Sequence, residues 1–518
     1  MVKSADRWGV LLLVGAVLSA ALLCGPALRG QALALDEHVS YYCSGAPSVL
    51  ELWNRCSDAA VLPPLSHLFE RAAVSIGGRS ESAFRAPSLL AYLLSVPVAW
   101  WIGRFLGGPI AGGVAAMIVA WQPEMLDEVR FARCYGLVLL LSSLSTGFVL
   151  RWRQRPEQKW WAGAWALSAA GLCWTHYLAG PLVAAQAVMM VVVVLRHPPS
   201  QQRRIGMAPL VAIVAVGLSC IPLLPAVARL REWSGLIEYQ RVPATIWDAF
   251  GARWTLAAIA VLAVSSAWRR FRTSGRVETS APLEEQPPEI GWPVFLWLVP
   301  LAVIGTMAVV ESPMLASPRY RVMAVCPSAV ALGLALSRAF RPTIAILGAA
   351  GVLALSTFLH GTSPRVAGRL ANVIEEEWKR VGLELRSRID DPHVLVFTQT
   401  GLAEGVLLPA MSGSERFRKY VGCRLGGFYT GSERALPIPF LWNGGGRLRE
   451  EYRTLLDANA VREAWIVGAN DTDLNAESLP VFSQFLEFAG FQQVGGEESR
   501  PGITMLRFER RVGGNLEE

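Results

Sequence analysis

Long apolar runs recur along the first 360 residues of this chain, and they constrain its fold more than any other feature. A helix needs about 20 consecutive apolar residues to cross the hydrocarbon core of a membrane. Hydrophobic residues make up 53% of the chain, charged residues only 17%, and the mean hydropathy is +0.36. The sequence therefore predicts an α-helical polytopic membrane protein with about 11 transmembrane helices. The predicted spans lie near 8–28, 86–104, 108–123, 134–150, 160–174, 177–195, 205–225, 251–268, 291–310, 321–337 and 342–359.

Arginine-rich breaks between the apolar runs predict the orientation of the chain. Four such breaks lie at 151–159, 196–204, 268–276 and 337–342, and an excess of arginine marks cytoplasmic loops. All four fall on one side of the membrane if the N-terminus is cytoplasmic. The net charge of +7 is explained by these short loops, which cannot form a contiguous surface for nucleic acid.

The hydropathy pattern divides the chain into two predicted domains. Residues 1–360 form a transmembrane core, whose first exported loop spans 29–85 and contains an amphipathic helix at 66–76. Residues 361–518 form an exported α/β domain. Its predicted helices lie at 365–389 and 478–490 and its predicted strands at 393–399, 464–469 and 503–511.

Charged and aromatic side chains collect at the exported ends of the predicted spans. Helix ends often carry such residues, since arginine snorkels and tyrosine belongs to the interface. The positive-inside rule nevertheless predicts few arginines on the exported side, where this chain has several together with acids. A carboxylate that activates an acceptor and arginines that hold a phosphate leaving group would account for both. The candidates are Asp36, Glu37, Arg85, Arg133, Tyr135, His176, Tyr177, Arg319, Tyr320 and Arg321.

Six short motifs in order carry a resemblance to a known family. They are "LDEHVSYY", "PPLSHL", "RAPSLLAYLLSVPVAWWIGRFLGG", "ARCYGLVLLLSSLS", "WTHYLAG" and "SPRYRVMAVCPSAVALGLAL". In this order the motifs resemble the GT-C class of polyprenyl-phosphate-sugar-dependent glycosyltransferases. The branch is that of bacterial protein O-mannosyltransferases and of the aminoarabinose transferase of lipid A. The resemblance covers about residues 8 to 340.

The resemblance implies a role for each matching position. Asp36, with Glu37 beside it, corresponds to the catalytic base, while Arg85, Arg319 and Tyr320 lie near the lipid phosphate, with Arg321 as a further candidate. Four further residues are expected to line the cavity: Arg133, Tyr135, His176 and Tyr177. The last two mark the turn between spans five and six. "DEHVSYY" departs from many relatives, so the contacts to the acceptor do not carry over.

The same resemblance implies an inverting transfer of a sugar from an undecaprenyl-phosphate-type donor to a protein, lipid or glycan acceptor. It also implies a bacterial inner membrane, a cytoplasmic N-terminus, and a periplasmic active site and C-terminal domain. Some GT-C enzymes use a divalent cation held by acidic loops, but the protein O-mannosyltransferase branch needs none. We therefore expect no required metal or other cofactor, with a divalent cation kept as the alternative. No nucleic-acid partner is expected, because the positive charge lies in short loops.

Cys43 and Cys56 both lie in the first exported loop, and the sequence leaves open whether they form a disulfide. The eight cysteines show no C-x-x-C and no histidine at zinc-finger spacing.

Two other function classes also remain open. A transporter or flippase would also have many spans, although transporters place ionisable or helix-breaking residues near the bilayer midplane. An assembly protein that uses its spans only as an anchor would place its function in the α/β domain.

Overall fold

Helices dominate the computed structural model, which describes residues 2–25, 30–229, 245–274, 290–310, 313–360, 364–400, 415–439, 442, 446–458, 460–469, 473–495 and 498–511. The chain forms two compact units. The membrane unit comprises Met1–Arg29, Arg85–Leu224 and Gln240–Pro364. The α/β unit comprises Gly30–Phe84, Pro225–Tyr239 and Arg365–Glu518.

Most helices of the membrane unit overlap the predicted spans, whereas two short helices, 123–129 and 246–249, match none of them. The helices are α1 Val2–Cys24, α5 Glu81–Trp121, α6 Pro123–Val129, α7 Tyr135–Gln154, α8 Trp160–Cys173, α9 Gly180–Leu195, α10 Pro199–Cys220, α11 Ile246–Ala249, α12 Ala252–Ser274, α13 Gly291–Val310, α14 Val325–Ala339 and α15 Pro342–His360. Short 3-10 segments precede α9 and α14. Among the described residues, seven helical segments are long and apolar enough to cross a membrane. The protein therefore has the character of a polytopic membrane protein, while the predicted count of eleven is not confirmed.

Helix α5 contains the two predicted spans 86–104 and 108–123, and it reverses direction between them. Gly108 has a left-handed φ of 86°, which glycine adopts without steric cost. A Cβ atom on Gly103 would lie 2.8 Å from the Cα atom of Gly112. Residues nine apart in a straight helix are separated by roughly 13 Å. The two halves of α5 thus form a tight helical hairpin, and small residues permit the close approach of its arms.

The C-terminal part of the α/β unit contains a mixed sheet with helices on both faces. The strands are β1 Val394–Gln399, β2 Leu436–Ile438, β3 Glu463–Ala469, β4 Phe491–Gln493, β5 Glu498–Arg500 and β6 Ile503–Arg510. Their order is β2-β1-β3-β6-β4, with β5 also paired to β6; β1 runs parallel to β2 and β3, and β6 runs antiparallel to its neighbours. The helices are α16 Pro364–Leu385, α17 Glu415–Val421, α18 Gly446–Ala458 and α19 Asp473–Phe488.

Alternate residues of strand β1 face two different hydrophobic cores. Leu395 and Phe397 pack with residues of α18 and α19, whereas Val394 and Val396 pack with residues of α16. All six residues of β1 are buried, as expected for a parallel strand covered on both faces. The predicted strands at 393–399, 464–469 and 503–511 and the two predicted helices are confirmed.

The first loop after α1 belongs to the α/β unit and contains helices α2 Leu35–Ser44, α3 Val49–Asn54 and α4 Leu65–Gly77. Arg55 forms a two-pronged ion pair with Glu433, with Nη–Oε distances of 2.6 and 2.9 Å. Arg416 binds Glu51 in the same way, at 3.0 Å for its shortest contacts. Two-pronged arginine–carboxylate pairs fix orientation as well as distance, so the loop is bound to the C-terminal segment in a defined register.

Helix α4 is the amphipathic helix predicted at 66–76, but its exposed face is the apolar one. Phe69 is 49% exposed and Ile76 is 88% exposed, whereas Ser66, His67 and Glu70 are buried. An outward apolar face is expected of a helix that lies on a membrane surface. The polar face is consequently packed into the α/β unit.

Candidate active site

The two acids of "LDEH" occupy the first turn of α2 and have different surroundings. Glu37 is completely buried, and its Oε2 atom accepts a 2.9 Å hydrogen bond from the backbone N–H of Ala34, the residue that caps the helix. This is the carboxylate half of a capping box, in which the side chain at the third helical position satisfies a helix-terminal N–H. Asp36 is partly exposed. Of the two acids, Asp36 is therefore the one available to solutes.

The segment that leads into α2 is held by side chains from the C-terminal part of the same unit. The N–H of Leu33 donates to the Tyr429 hydroxyl at 2.8 Å, and the N–H of Ala32 donates to Glu376 Oε1 at 2.9 Å. Lys379 Nζ donates to the Gly30 carbonyl at 3.3 Å. Three attachments within four residues fix the backbone directly before the acids. The α/β unit thus positions the first turn of α2.

His38, next to the acids, is neutral in this environment. It is 1% exposed and packs edge-on against the Tyr429 ring. Burial lowers the pKa of His38 to about 3, and the nearby Arg424 guanidinium acts in the same direction. An imidazole with so low a pKa serves as a hydrogen-bonding or packing group and not as a cation at neutral pH.

Five of the candidate residues meet in the membrane unit. The Arg133 guanidinium lies 6.0 Å from the Tyr135 ring centre, and the ring centres of Tyr135 and His176 are also 6.0 Å apart. His176 in turn lies 5.8 Å from the Tyr320 ring, and the Arg319 guanidinium lies 5.2 Å from that ring. The residues come from three separate stretches of sequence. This group, the Arg133–Arg319 cluster, joins two cations to three polar aromatic side chains.

The imidazole of His176 is influenced by the positive charges of both arginines of the cluster. Burial lowers the pKa of His176 to about 4, and the positive charges of Arg133 and Arg319 lower it further. Its Nδ1 atom accepts a 3.2 Å hydrogen bond from the N–H of Leu178. A neutral imidazole that accepts at Nδ1 carries its proton on Nε2. His176 is therefore a neutral hydrogen-bond donor beside two guanidinium groups.

Arg321 has a different setting from Arg319. Its Nη1 atom donates to the carbonyl oxygens of Asp248 and Ala316, at 2.8 and 2.6 Å. It also lines a pocket together with Trp254 and Trp297. Much of its hydrogen-bonding capacity thus stabilises the backbone around this pocket.

The last two candidates, Arg85 and Tyr177, belong to the membrane unit as well. Arg85 is buried, 3% exposed, and lies one turn inside α5, which begins at Glu81 and not at Arg85. Tyr177 begins the 3-10 turn Tyr177–Ala179 directly after His176. Sequence reasoning missed Glu376 and Tyr429, which lie 344 and 396 positions from their partners Ala32 and Leu33. Neither residue belongs to a motif, so the sequence contains no local signal for their role.

Comparison with known proteins gives a family match and a similar fold. Residues 61–224 match the family model of dolichyl-phosphate-mannose-protein mannosyltransferases. The fold is similar to that of ArnT from Cupriavidus metallidurans bound to undecaprenyl phosphate, with a TM-score of 0.56 and 13% identity over 97% of this chain and 98% of ArnT. No curated protein matches the chain by sequence.

The archaeal oligosaccharyltransferase AglB from Archaeoglobus fulgidus, in complex with an inhibitory peptide and a dolichol-phosphate, also matches. The match covers 96% of this chain and 73% of AglB at 12% identity, and its TM-score of 0.48 is too low to support a shared fold. Residues 61–224 thus match the mannosyltransferase family model, and the fold of the chain is similar to that of ArnT.

Proposed function

We propose that the enzyme transfers a sugar from a polyprenyl-phosphate donor of the undecaprenyl-phosphate type to an acceptor on the periplasmic face of the inner membrane. The observation that carries this proposal is the Arg133–Arg319 cluster, in which cations and neutral donors converge. Such a set suits an anion, because charge-assisted hydrogen bonds to phosphate are the strong ones. The undecaprenyl phosphate bound to the similar structure ArnT supports the same ligand class.

In this proposal Asp36 is the general base that removes the proton from the acceptor. Its partial exposure makes it accessible, while Glu37 caps α2 and is buried. The acceptor oxygen or nitrogen then attacks the anomeric carbon in line with the departing lipid phosphate, which inverts the configuration at that carbon. No metal ion is needed for this step, because the positive charge that stabilises the leaving group comes from arginine.

Arg85 and Arg319 bind the phosphate of the donor and stabilise the charge that it acquires as it leaves. Tyr320 and the neutral His176 add hydrogen-bond donors, and Arg133 with Tyr135 lines the cavity. Arg321 contributes mainly its charge, since its Nη1 atom is engaged by two carbonyl oxygens. Stabilisation of developing charge by fixed donors is commonly the largest single contribution to catalysis.

The test is a comparison of two neighbouring amide substitutions in purified enzyme. Asp36→Asn removes the base, and general-base loss lowers rates by roughly 10²–10⁴-fold. Glu37→Gln keeps an oxygen that accepts from the Ala34 N–H, so it should retain most of the activity. Sugar transfer from a lipid-linked donor is measured for both variants. Parental activity in Asp36→Asn would contradict the role of Asp36.

A further inference from the structure

A second group of chemically reactive side chains lies in the core of the α/β unit, apart from the residues of the proposed mechanism. Cys43, Cys56 and His67 bring their ligand atoms within 4.8 Å of one another, which is the only such group of three found among the described residues. Cys43 is completely buried, Cys56 is 1% exposed and His67 is 3% exposed. The three residues come from α2, from the π-helical segment Arg55–Ala60 and from α4.

The histidine of this group is oriented by a second buried residue. His67 Nδ1 lies 2.8 Å from Glu70 Oε2, and Glu70 is 2% exposed. A carboxylate that binds one ring nitrogen of a histidine fixes the ring and strengthens the other nitrogen as a metal ligand. Nε2 is thus the ring nitrogen that would bind a metal ion.

Burial of this polar face has an energetic cost, which the 2.8 Å contact between His67 and Glu70 partly offsets. Helix α4 exposes Phe69 and Ile76 and directs His67 and Glu70 into the core. Removing a carboxyl group and an imidazole from water is unfavourable unless they gain strong interactions inside the protein. An ion bound at Nε2 of His67 would add a further interaction to those that the protein already supplies.

We infer that Cys43, Cys56 and His67 form a structural zinc site, with Glu70 as the residue that orients His67. Two thiols and one imidazole are the donor set that Zn²⁺ prefers, and a hard cation would select oxygen ligands instead. Zinc bond lengths of about 2.0–2.3 Å place tetrahedral ligand atoms roughly 3.5 Å apart, so a spread within 4.8 Å needs only a small contraction. The group supplies three of the four ligands of a tetrahedral site.

Charge also balances at this site. Zinc binding displaces one proton from each thiol, and the two resulting thiolates neutralise the two positive charges of the ion. The neutral imidazole adds no charge. The ion and its three ligands thus carry no net charge, and the negative charge of the Glu70 carboxylate beside them is stabilised by its contact with His67. The ion would join three of the helical segments of the first loop, and so stabilise the part of the unit that precedes the C-terminal sheet.

The site is tested on the full-length protein, purified in detergent without chelator. We expect about one zinc per chain by elemental mass spectrometry. Cys43→Ser and Cys56→Ser should each lower the bound zinc at least tenfold, while Glu70→Gln should weaken zinc affinity by roughly 10–100-fold. Cys423→Ser is the matched control, because Cys423 lies in the same hydrophobic cluster but outside the three-residue group. It should keep the zinc.

A second measurement does not depend on the folding of any variant. The parent protein is stripped with a chelator and titrated with Co²⁺, which gives a thiolate charge-transfer absorption when cysteine sulfur binds the ion. Appearance of this absorption, and its loss on addition of Zn²⁺, supports the site. A parent protein without zinc, in which mass spectrometry shows a Cys43–Cys56 disulfide, would overturn it. Free thiols that bind neither Zn²⁺ nor Co²⁺ would overturn it equally, and zinc loss in Cys423→Ser would refute the three-ligand assignment.

Discussion

Tyr429→Phe tests whether the α/β unit positions the first turn of α2. The substitution removes only the hydroxyl that accepts from the N–H of Leu33 at 2.8 Å and donates to Glu81 Oε1 at 3.2 Å. Leu33 is completely buried, so its N–H would be left without this bond in the interior. An unsatisfied buried donor costs about 1–3 kcal/mol. At roughly 2–4 °C per kcal/mol for a domain of 150–250 residues, the melting temperature should fall by about 2–12 °C.

The same substitution should affect catalysis through Asp36, three residues after Leu33. A displacement of about 1 Å in a catalytic group can lower the rate on the order of 10²-fold. We therefore expect kcat for sugar transfer to fall by roughly 10–100-fold, with thermal unfolding and transfer measured on the same preparations. Tyr42→Phe is the matched control, because its hydroxyl donates to the Arg416 carbonyl at 2.6 Å and lies at the other end of α2. If Tyr429→Phe and Tyr42→Phe lose stability equally and both keep the parental kcat, the positioning role is refuted.

Three further predictions concern groups whose surroundings are defined by the structure. The Arg416 guanidinium lowers the pKa of Glu51 below its ordinary value of 4.5. The pair therefore stabilises the fold above pH 4.5, and this contribution is lost as the pH falls. Glu51→Gln should flatten this part of the dependence of melting temperature on pH. Gly251→Ala should lower the free energy of unfolding by about 1–2 kcal/mol and should lower the rate of sugar transfer. The backbone φ of Gly251 is +54°, and the new Cβ atom would lie 2.7 Å from Arg321 Nε. An unchanged melting temperature would contradict this. His176→Gln should lower the rate of sugar transfer without altering the shape of the pH–rate profile between about pH 5 and 8. The reason is that burial and the two arginines lower the pKa of His176 to about 4. Loss of an ionisation from the profile would contradict this prediction.

The helices of the membrane unit were predictable from sequence because the bilayer imposes a simple length requirement on apolar runs. The reversal inside α5 coincides with the predicted break, because the gap between the spans 86–104 and 108–123 directly precedes Gly108. The number of spans was harder to predict, because α8 Trp160–Cys173 is shorter than a full crossing. The buried strands β1 and β3 were also found, whereas the three-residue strands β2, β4 and β5 are too short to show a period.

Some features of the candidate site were predictable from sequence, and others depend on tertiary contacts. The motifs named the residues of the Arg133–Arg319 cluster, since each lies in a short stretch with its own pattern. The sequence could not distinguish Asp36 from Glu37, because the difference arises from the hydrogen bond between Glu37 and the Ala34 N–H. It also gave no sign that His67 meets Cys43 and Cys56, since the spacing matches no zinc motif and the meeting depends on the packing of α4.

The lipid-linked sugars of cells that lack this protein test the central claim most directly. Lipid extracts of the deletion strain, of the strain complemented with the parent gene and of the strain complemented with Asp36→Asn are compared by mass spectrometry. A transferase that consumes a polyprenyl-phosphate sugar should let that donor accumulate in the deletion strain and in the Asp36→Asn strain, and the parent gene should restore its ordinary level. An unchanged pool of polyprenyl-phosphate sugars in all three strains would contradict the proposed donor.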